Sequence, residues 1–501
     1  RGLVDVYKIQ LLDYSNGLTE TVGTNPYTIT VGTDDASVSD SDLNSLNALT
    51  TVEVNINNVT SLTASDLSDL STLNSNRTGF SNFDKIAAIT LTDNGGGASV
   101  VDYGTLETIV DDYQDNFNSS VVFSFQSGDT IDIDSSDELA AYLTDIGSGA
   151  LALTDQAVTI DSSVSLSVSN ARTIAADTTG VVTGSIDTAS RVSSLTALRN
   201  PGGGNEENAW TIVISSDDAT IENVSHLNTI DASTSVAINA GNVTTITSST
   251  LDAINTLYAS SGFSGLGDQD ITASDDGSIA ASTISAIATA NSDGTLDVSG
   301  AATITGTAAE IIAALSDSTV TDAADVALTV NSGTVTLAQA IDLNALTTGV
   351  VTATIADTAV SDLLHPQDGL TETGGANAYT ITIGTGDAEI TAANLSSLNE
   401  LTTVAIDATN VTQITGTVAA ANDVYTAGDN SEISGLGNET VVISGESSNT
   451  LSDASTLNTL DGNTTGTVNA GSLTTIQGAL SDVLTAYASN GITGLGNEAI
   501  T

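Results

Sequence analysis

The 501-residue chain contains no cysteine and no methionine. Disulfides, zinc–thiolate sites and cysteine nucleophiles are therefore excluded, and a lack of oxidisable sulfur fits an exposed, oxygenated setting. No apolar run approaches the roughly 20 residues that a membrane-spanning helix needs, so we expect no membrane insertion. A signal peptide and an initiating Met are also missing ahead of Arg1. We therefore expect the sequence to be an internal or processed piece of a longer polypeptide.

Basic residues are scarce, with 7 Lys and Arg against 62 Asp and Glu and a formal net charge of -55. Such a charge repels phosphate, so we expect no nucleic-acid partner and no adhesion to anionic lipid. It suits a protein that stays soluble in salty water, where screening weakens self-repulsion. It also suits a protein that recruits divalent cations, because these bridge carboxylates.

Aromatic residues make up only 3% of the chain, although hydrophobic residues make up 40% and the mean hydropathy is +0.14. That hydropathy is too high for a chain disordered by its charge. The apolar residues are mostly Ala, Val, Ile and Leu, which predicts a thin core of small side chains. A thin core is typical of a stack of short elements rather than of one large globule.

One short phrase occurs three times, as SGLGDQDIT at 264–272, SGLGNETVV at 434–442 and TGLGNEAIT at 493–501. In the first and third copies, it follows an apolar face spaced as in a helix and then a glycine that ends the helix. The phrase therefore predicts a glycine turn that leads from a short helix into a short strand.

The sequence also contains a second repeat with a longer period. Residues 17–54 reappear at 369–406 with an ungapped offset of 352 residues (369 minus 17), and a weaker copy lies at 205–238. The three copies place an aromatic residue at the same position, and these residues are Tyr27, Trp210 and Tyr379. Because one repeat cannot bury its own apolar face, neighbouring repeats are expected to stack.

The order of elements within a repeat is regular. In the last copy a strand, YTITIG, precedes a helix with Leu395, Leu398 and Leu401 on one face, and TVAIDATNVTQIT then reads as two strand pieces broken near Asn410. A second helix is predicted over 417–427, and Ser or Thr N-caps precede most helices. The predicted fold is an elongated repeat solenoid, either α/β or mainly β, in which each coil of about 25–30 residues contributes parallel strands and a short helix.

Breaks in this rhythm divide the chain into four predicted segments. They are repeat region 1 at 1–78, divergent coils or an insert at 79–199, repeat region 2 at 200–365 and repeat region 3 at 366–501. The divergent segment is richer in aromatic residues than the others. Pro201 and Pro366 lie just before the start of a large repeat, as expected for joints between regions.

The sequence offers little for catalysis, because His226 and His365 form no Ser-His-Asp set at a meaningful spacing. Calcium is the better functional hypothesis, since carboxylates lie close together at turns in 128–138 and 265–278. Neither stretch is an EF-hand loop, and two copies of the Gly-Leu-Gly phrase carry Asn where the first carries Asp. The candidate calcium ligands are Asp129, Asp132, Asp134, Asp137, Asp268 and Asp270.

The segment STLNTLDGNTTGTVNAGSLTTIQGALSDVLTAYASNGITGLGNEAIT at 455–501 resembles the tandem repeats of giant secreted surface proteins of cyanobacteria and other aquatic bacteria. These include RTX-like adhesins, surface-layer proteins and motility-associated surface proteins. The resemblance covers most of 17–78 and 200–501, and it implies export and calcium-assisted folding outside the cell. The glycine-rich nonapeptide of RTX calcium modules is missing, so the resemblance does not extend to that module or to type I secretion.

The leading hypothesis is an extracellular structural protein, not an enzyme, that self-associates into part of a surface layer, sheath or filament with the help of cations. The alternative is the stalk of a giant cell-surface adhesin, with a surface glycan as a partner. A remote third alternative is a polysaccharide-active β-helix enzyme. Such an enzyme needs basic or aromatic residues to hold sugar, and this chain has few of either.

Overall fold

The computed structural model describes residues 26–92, 99–198, 208–370 and 377–501. These residues form strands and short helices in alternation, and each strand pairs in parallel with a strand from a neighbouring coil. Within the described ranges the sheets are open, and none closes into a barrel. The predicted α/β repeat of parallel strands and short helices is therefore confirmed.

The elements have the following bounds. The strands are β1 Ser37–Ser39, β2 Val54–Asn55, β3 Ser61–Ala64, β4 Phe80–Ser81, β5 Ala88–Leu91, β6 Val100–Asp102, β7 Val122–Ser124, β8 Thr130–Ile133, β9 Leu151–Ala152, β10 Ala157–Ile160, β11 Ser165–Leu166, β12 Val182–Ile186, β13 Ala209–Thr211, β14 Thr220–Ile221, β15 Ile238–Asn239, β16 Thr245–Ser249, β17 Phe263–Ser264, β18 Asp270–Ala273, β19 Ser278–Ala280, β20 Thr295–Asp297, β21 Thr303–Gly306, β22 Val320–Thr321, β23 Ala327–Val330, β24 Val351–Thr354, β25 Ala378–Thr380, β26 Glu389–Thr391, β27 Ile406–Asp407, β28 Gln413–Gly416, β29 Ile433–Ser434, β30 Thr440–Ile443, β31 Thr450–Leu451, β32 Val468–Asn469, β33 Thr475–Ile476, β34 Ile492–Thr493 and β35 Ala499–Ile500. The α-helices are α1 Asp40–Ala48, α2 Leu67–Ser75, α3 Tyr103–Asn116, α4 Ser136–Ser148, α5 Val168–Asp177, α6 Val192–Leu195, α7 Val224–Asp231, α8 Leu251–Ala259, α9 Ala281–Ala290, α10 Ala308–Leu315, α11 Leu337–Leu346, α12 Val360–Leu363, α13 Ala392–Glu400, α14 Val418–Asp429, α15 Ala454–Asn463 and α16 Leu480–Ala488. Short 3-10 turns lie at Arg77–Gly79, Phe83–Lys85, Thr196–Leu198, Ser216–Asp218, Thr385–Asp387 and Ser447–Asn449.

The chain divides into two compact units. The first comprises Arg1–Thr244 and Ala259–Leu266, and the second comprises Thr245–Tyr258 and Gly267–Thr501. The first unit contains a sheet of order β1-β3-β5-β7-β9 and a sheet of order β11-β12-β10-β8-β6, with β13 added beside β12. The second contains the sheets β19-β21-β23-β24-β25 and β26-β28-β30-β32-β34, the smaller sheet β31-β33-β35, and the parallel run β16-β18-β20-β22.

Strand register gives the length of a coil directly. Glu389 pairs with Gln413, 24 residues on, and Gln413 pairs with Thr440, 27 residues on. The step from β5 to β7 is longer, because Ala88 pairs with Val122 and the intervening coil contains the 14-residue helix α3. Alternate strand residues face the core, as the period of two requires. Most other steps lie near the predicted coil length, but the step from β11 to β12 is shorter, since Ser165 pairs with Ser185.

The short helices form for reasons that are visible in the sequence. Thr391 caps α13 by accepting from the Asn394 N–H, and Leu395 and Leu398 are fully buried on its inner face. In the next coil Thr417 caps α14, which spans the predicted second helix. The two strand pieces predicted around Asn410 are β27 and β28, but β26, which lies between the first strand of this repeat and α13, was not predicted.

A threonine hydroxyl ties each large repeat to its equivalent aromatic residue. Thr50, Thr234 and Thr402 follow α1, α7 and α13, and their Oγ1 atoms donate to the carbonyls of Tyr27 (2.6 Å), Trp210 (2.8 Å) and Tyr379 (2.7 Å), respectively. Each hydroxyl also accepts from the N–H two residues further on. The three aromatic residues therefore share this backbone contact, as the repeat alignment predicts, but Trp210 and Tyr379 are buried in strands whereas Tyr27 is partly exposed and lies outside a strand. The same bond recurs from Thr178, Thr347 and Thr464.

Replacing Thr402 by Val is expected to lower the free energy of unfolding by about 1–3 kcal/mol, because the buried Tyr379 carbonyl then lacks a partner. Thr403→Val is the matched control. Thr403 is exposed, and its longer 3.3 Å bond to the Asn377 carbonyl can be replaced by water. Urea denaturation of both variants tests this, and equal losses from the two would contradict the role assigned to the inner hydroxyl.

Candidate functional site

Asp129, the first predicted calcium ligand, is almost completely buried. It is 1% exposed, and its Oδ1 accepts from the backbone N–H of Ser99 (3.0 Å) and from the Ser99 hydroxyl (3.2 Å). Its Oδ2 accepts from the Gln126 N–H at 3.0 Å. The carboxylate therefore closes the turn that leads into β8, and both of its oxygens are engaged by the chain itself.

Asp132 lies two strand positions beyond the start of β8, and its register partner on β6 is Asp102. Burial raises the pKa of Asp132 above its ordinary value, and the negative charges of Asp134 and Asp102 add to this effect. Asp134 and Asp137 are exposed, the first just after β8 and the second in the first turn of α4. The structure thus brings Asp132 and Asp134 together and adds Asp102, which the sequence analysis did not name.

The second predicted stretch is built differently. Asp268 is exposed, and its Oδ1 accepts from the Gln269 side-chain amide at 2.6 Å. Asp270 is also exposed, and it accepts from the Thr295 hydroxyl of the next coil at 2.9 Å. Within the described ranges no three His, Asp or Glu side chains are arranged to hold a metal ion. Calcium binding by the six named residues stays a prediction.

The repeated Gly-Leu-Gly phrase forms a turn that requires glycine. Gly435 and Gly437 have φ angles of 83° and 121°, in the region that side chains disfavour. A Cβ on Gly435 would also lie 2.6 Å from the Thr409 backbone nitrogen of the preceding coil. The corresponding Gly265 and Gly267 adopt φ angles of 79° and 135°. Close approach between coils and a positive φ angle therefore account for the first glycine of the phrase, and the positive φ angle alone accounts for the second.

A buried acceptor two residues beyond the second glycine completes the turn. Glu439 is fully buried, and its Oε2 accepts from the Gly437 N–H (2.9 Å) and the Asn438 N–H (3.2 Å). The Tyr425 hydroxyl on α14 donates to the same oxygen at 2.9 Å. This role was not predicted, although Glu or Gln occupies the position in all three copies.

The first copy of the phrase makes the same bonds with a neutral side chain. Gln269 is fully buried, and its Oε1 accepts from the Gly267 N–H at 2.7 Å and from the Tyr258 hydroxyl at 2.8 Å. Burial raises the pKa of Tyr258 and of Tyr425, so both phenols remain protonated donors at neutral pH. The turn therefore needs an acceptor at this position and does not need a charge.

Other carboxylates cap the helix of the preceding coil. Asp275 Oδ2 accepts from the Leu251 N–H, the first of α8, at 2.8 Å. Glu446 accepts in the same way from Val418 at the start of α14, also at 2.8 Å. Negative charge at a helix N-terminus is favourable, because the first N–H groups are unpaired and the helix dipole is positive there.

Two further caps of this kind serve short helices whose own N-cap side chains make no capping bond to the helix. Asp218 accepts from the Val192 N–H of α6 at 2.7 Å, and Asp387 accepts from the Val360 N–H of α12 at 3.0 Å. The four acids lie 24 to 28 residues after the N–H groups they receive. A sequence signal for them therefore exists, namely an acid one coil after the first residue of a helix.

Neither a protein-family model nor a curated protein matches the chain. Among the helices of the described ranges, none combines the length and the apolar character needed to cross a membrane. The resemblance to giant secreted surface proteins therefore rests on the repeats alone. The side-chain clusters described here hold coils together, through buried acceptors at turns and carboxylates at helix ends.

Replacing Asp275 by Ala is expected to lower the free energy of unfolding by about 0.5–2 kcal/mol, the usual cost of losing a helix N-cap. Asp275→Asn retains an acceptor oxygen and should lower the free energy of unfolding by less. Asp276→Ala is the control, since Asp276 is an exposed neighbour of the same charge. Thermal or urea unfolding checks the order, and an Asp276→Ala loss as large as that of Asp275→Ala would refute the capping role.

Glu439→Gln is expected to leave stability nearly unchanged, because Gln269 makes the equivalent bonds in its own coil. Glu439→Ala should lower the free energy of unfolding by about 1–3 kcal/mol, since it leaves buried donors of the turn unpaired. Denaturant unfolding of both variants provides the measurement. If Glu439→Gln proves as damaging as Glu439→Ala, the negative charge itself is required and the acceptor explanation is wrong.

Proposed function

We propose that this protein is an extracellular structural protein whose stacked coils form part of a surface layer, sheath or filament. The observation that carries the proposal is the bonding between successive coils. Parallel strands repeat at 24 to 27 residues in β26, β28 and β30, and threonine hydroxyls and carboxylates add side-chain bonds across the same junctions. Bonding of this kind favours an elongated solenoid, because each coil presents one bonding face to the coil before it and another to the coil after it.

Head-to-tail or lateral association of such coils generates filaments or lattices. With a net charge of -55, neighbouring chains repel one another unless the charge is neutralised. Exposed carboxylates such as Asp134, Asp137, Asp268 and Asp270 are suitable ligands for cations that bridge two chains. We therefore include calcium-assisted assembly in the proposal, in keeping with the resemblance to giant secreted surface proteins.

Purified chain in low salt is expected to form ordered fibres or sheets when millimolar Ca²⁺ is added and to return to single particles when EDTA is added in excess. Negative-stain electron microscopy and sedimentation velocity measure this. A NaCl control matched in ionic strength separates bridging from simple screening, because screening acts without a divalent ion.

Assemblies that survive EDTA in low salt would contradict the cation-dependent proposal. Rods that stay single under every condition would favour the alternative function, the stalk of a cell-surface adhesin. A variant with Asp134→Asn and Asp137→Asn should need more Ca²⁺ for assembly, whereas Asp275→Asn, which alters a carboxylate engaged between coils, should need the same amount.

A further inference from the structure

Asp40 departs from the pattern of the repeats. It is the first residue of α1 and is fully buried, and the 352-residue repeat aligns it with Ala392, the fully buried first residue of α13. The first residues of α10 and α15 are also buried alanines, Ala308 and Ala454. A carboxylate therefore occupies a position that other coils fill with a methyl group, and such departures mark functional or strained sites.

The Asp40 carboxylate is only half satisfied. Its Oδ1 accepts from the Ser41 N–H at 2.7 Å, whereas its Oδ2 is buried and has no hydrogen-bond partner. The hydroxyl of Tyr113 on α3 is likewise buried without a partner, and the charge of Asp40 acts on it. An ionised carboxylate in such surroundings is costly, whereas the neutral acid is much less so.

The titratable side chains around Asp40 do not compensate its charge. Its own helix carries Asp42, the neighbouring β1 and β3 carry no titratable side chain, and α2 carries Asp69 with Asp66 as its N-cap. The Tyr113 phenol is neutral, because burial raises its pKa. Asp66 and Asp69 are the charged groups that act on Asp40 from the following coil. Both are acids, so they disfavour a negative charge on Asp40.

Burial is the main cause that raises the pKa of Asp40 from 3.8 to about 6. The backbone of Ser41 opposes this rise, the charges of Asp69 and Asp66 add to it, and the backbone of Ser65 also opposes it. Between these two values the folded protein holds a proton that the unfolded chain has released. Folding at this position is therefore favoured at low pH, and the benefit is lost as the pH rises through about 6.

We propose that Asp40 is a pH sensor that tightens the contact of α1 with the following coil when it is protonated and loosens that contact when it ionises. The two states are a docked first turn of α1 at mildly acidic pH and a turn that opens more often above neutrality. The sensor acts through packing within the first unit, so it does not depend on how the protein assembles.

Hydrogen exchange of the full chain tests the proposal between pH 5 and 8, with rates corrected for the intrinsic effect of pH. The segment 37–49 is compared with 389–401, the equivalent segment that carries Ala392. The protection factor of 37–49, divided by that of 389–401, should fall about tenfold from pH 5 to pH 8. Over the whole titration of Asp40, which begins at lower pH, the same ratio should fall about 100-fold.

Asp40→Ala and Asp40→Asn should both remove this pH dependence, and Asp34→Asn, at an exposed acid, should keep it. A ratio in the unmodified protein that stays flat from pH 5 to 8 would overturn the proposal, as would a slope that persists in Asp40→Ala. If a variant fails to fold, the comparison of the two segments in the unmodified protein still shows whether the protection of 37–49 depends on pH.

Discussion

The structure depends on hydrogen bonds that a side chain of one coil makes to the backbone of its neighbour. Short parallel strands of two to five residues leave many backbone groups at their ends, and each buried group needs a partner. Thr402 supplies one to the carbonyl of Tyr379, and Asp387 supplies one to the N–H of Val360. Small apolar side chains fill the interior, but these polar contacts set which coil lies beside which.

Much of the fold is predictable from the sequence because similar sequence patterns for strands and helices recur in each repeat. The alternation in 403–415 predicts two strands, and β27 and β28 lie there. The spacing of Leu395 and Leu398 predicts the buried face of α13. Where one period of two or 3.6 residues holds over a whole element, local pattern and tertiary packing agree, and a prediction from one copy applies to the others.

The roles of the acids are much less predictable. Asp129 lies in a carboxylate-rich stretch that reads as a calcium loop, yet both of its oxygens accept bonds from its own chain. Asp275 lies in a similar stretch and caps α8 of the preceding coil. Composition and local spacing do not separate an acid that faces water from one that faces a neighbouring backbone. Only the register between coils does so, because it sets residues that are 24 apart, as for Asp275, or 30 apart, as for Asp129, side by side.

The buried turn acceptors separate what the fold needs from what the charge supplies. Gln269 and Glu439 make the same bonds to a glycine N–H and a tyrosine hydroxyl, so folding there requires an oxygen acceptor of either charge. A neutral residue can cap a helix as well, as Thr391 does at α13. Because neutral residues fill these roles in sister coils, folding alone does not account for a net charge of -55. An excess of acid that costs self-repulsion and is not needed for packing is best explained by the surroundings in which the chain acts, and this is why we connect the charge with cations and assembly.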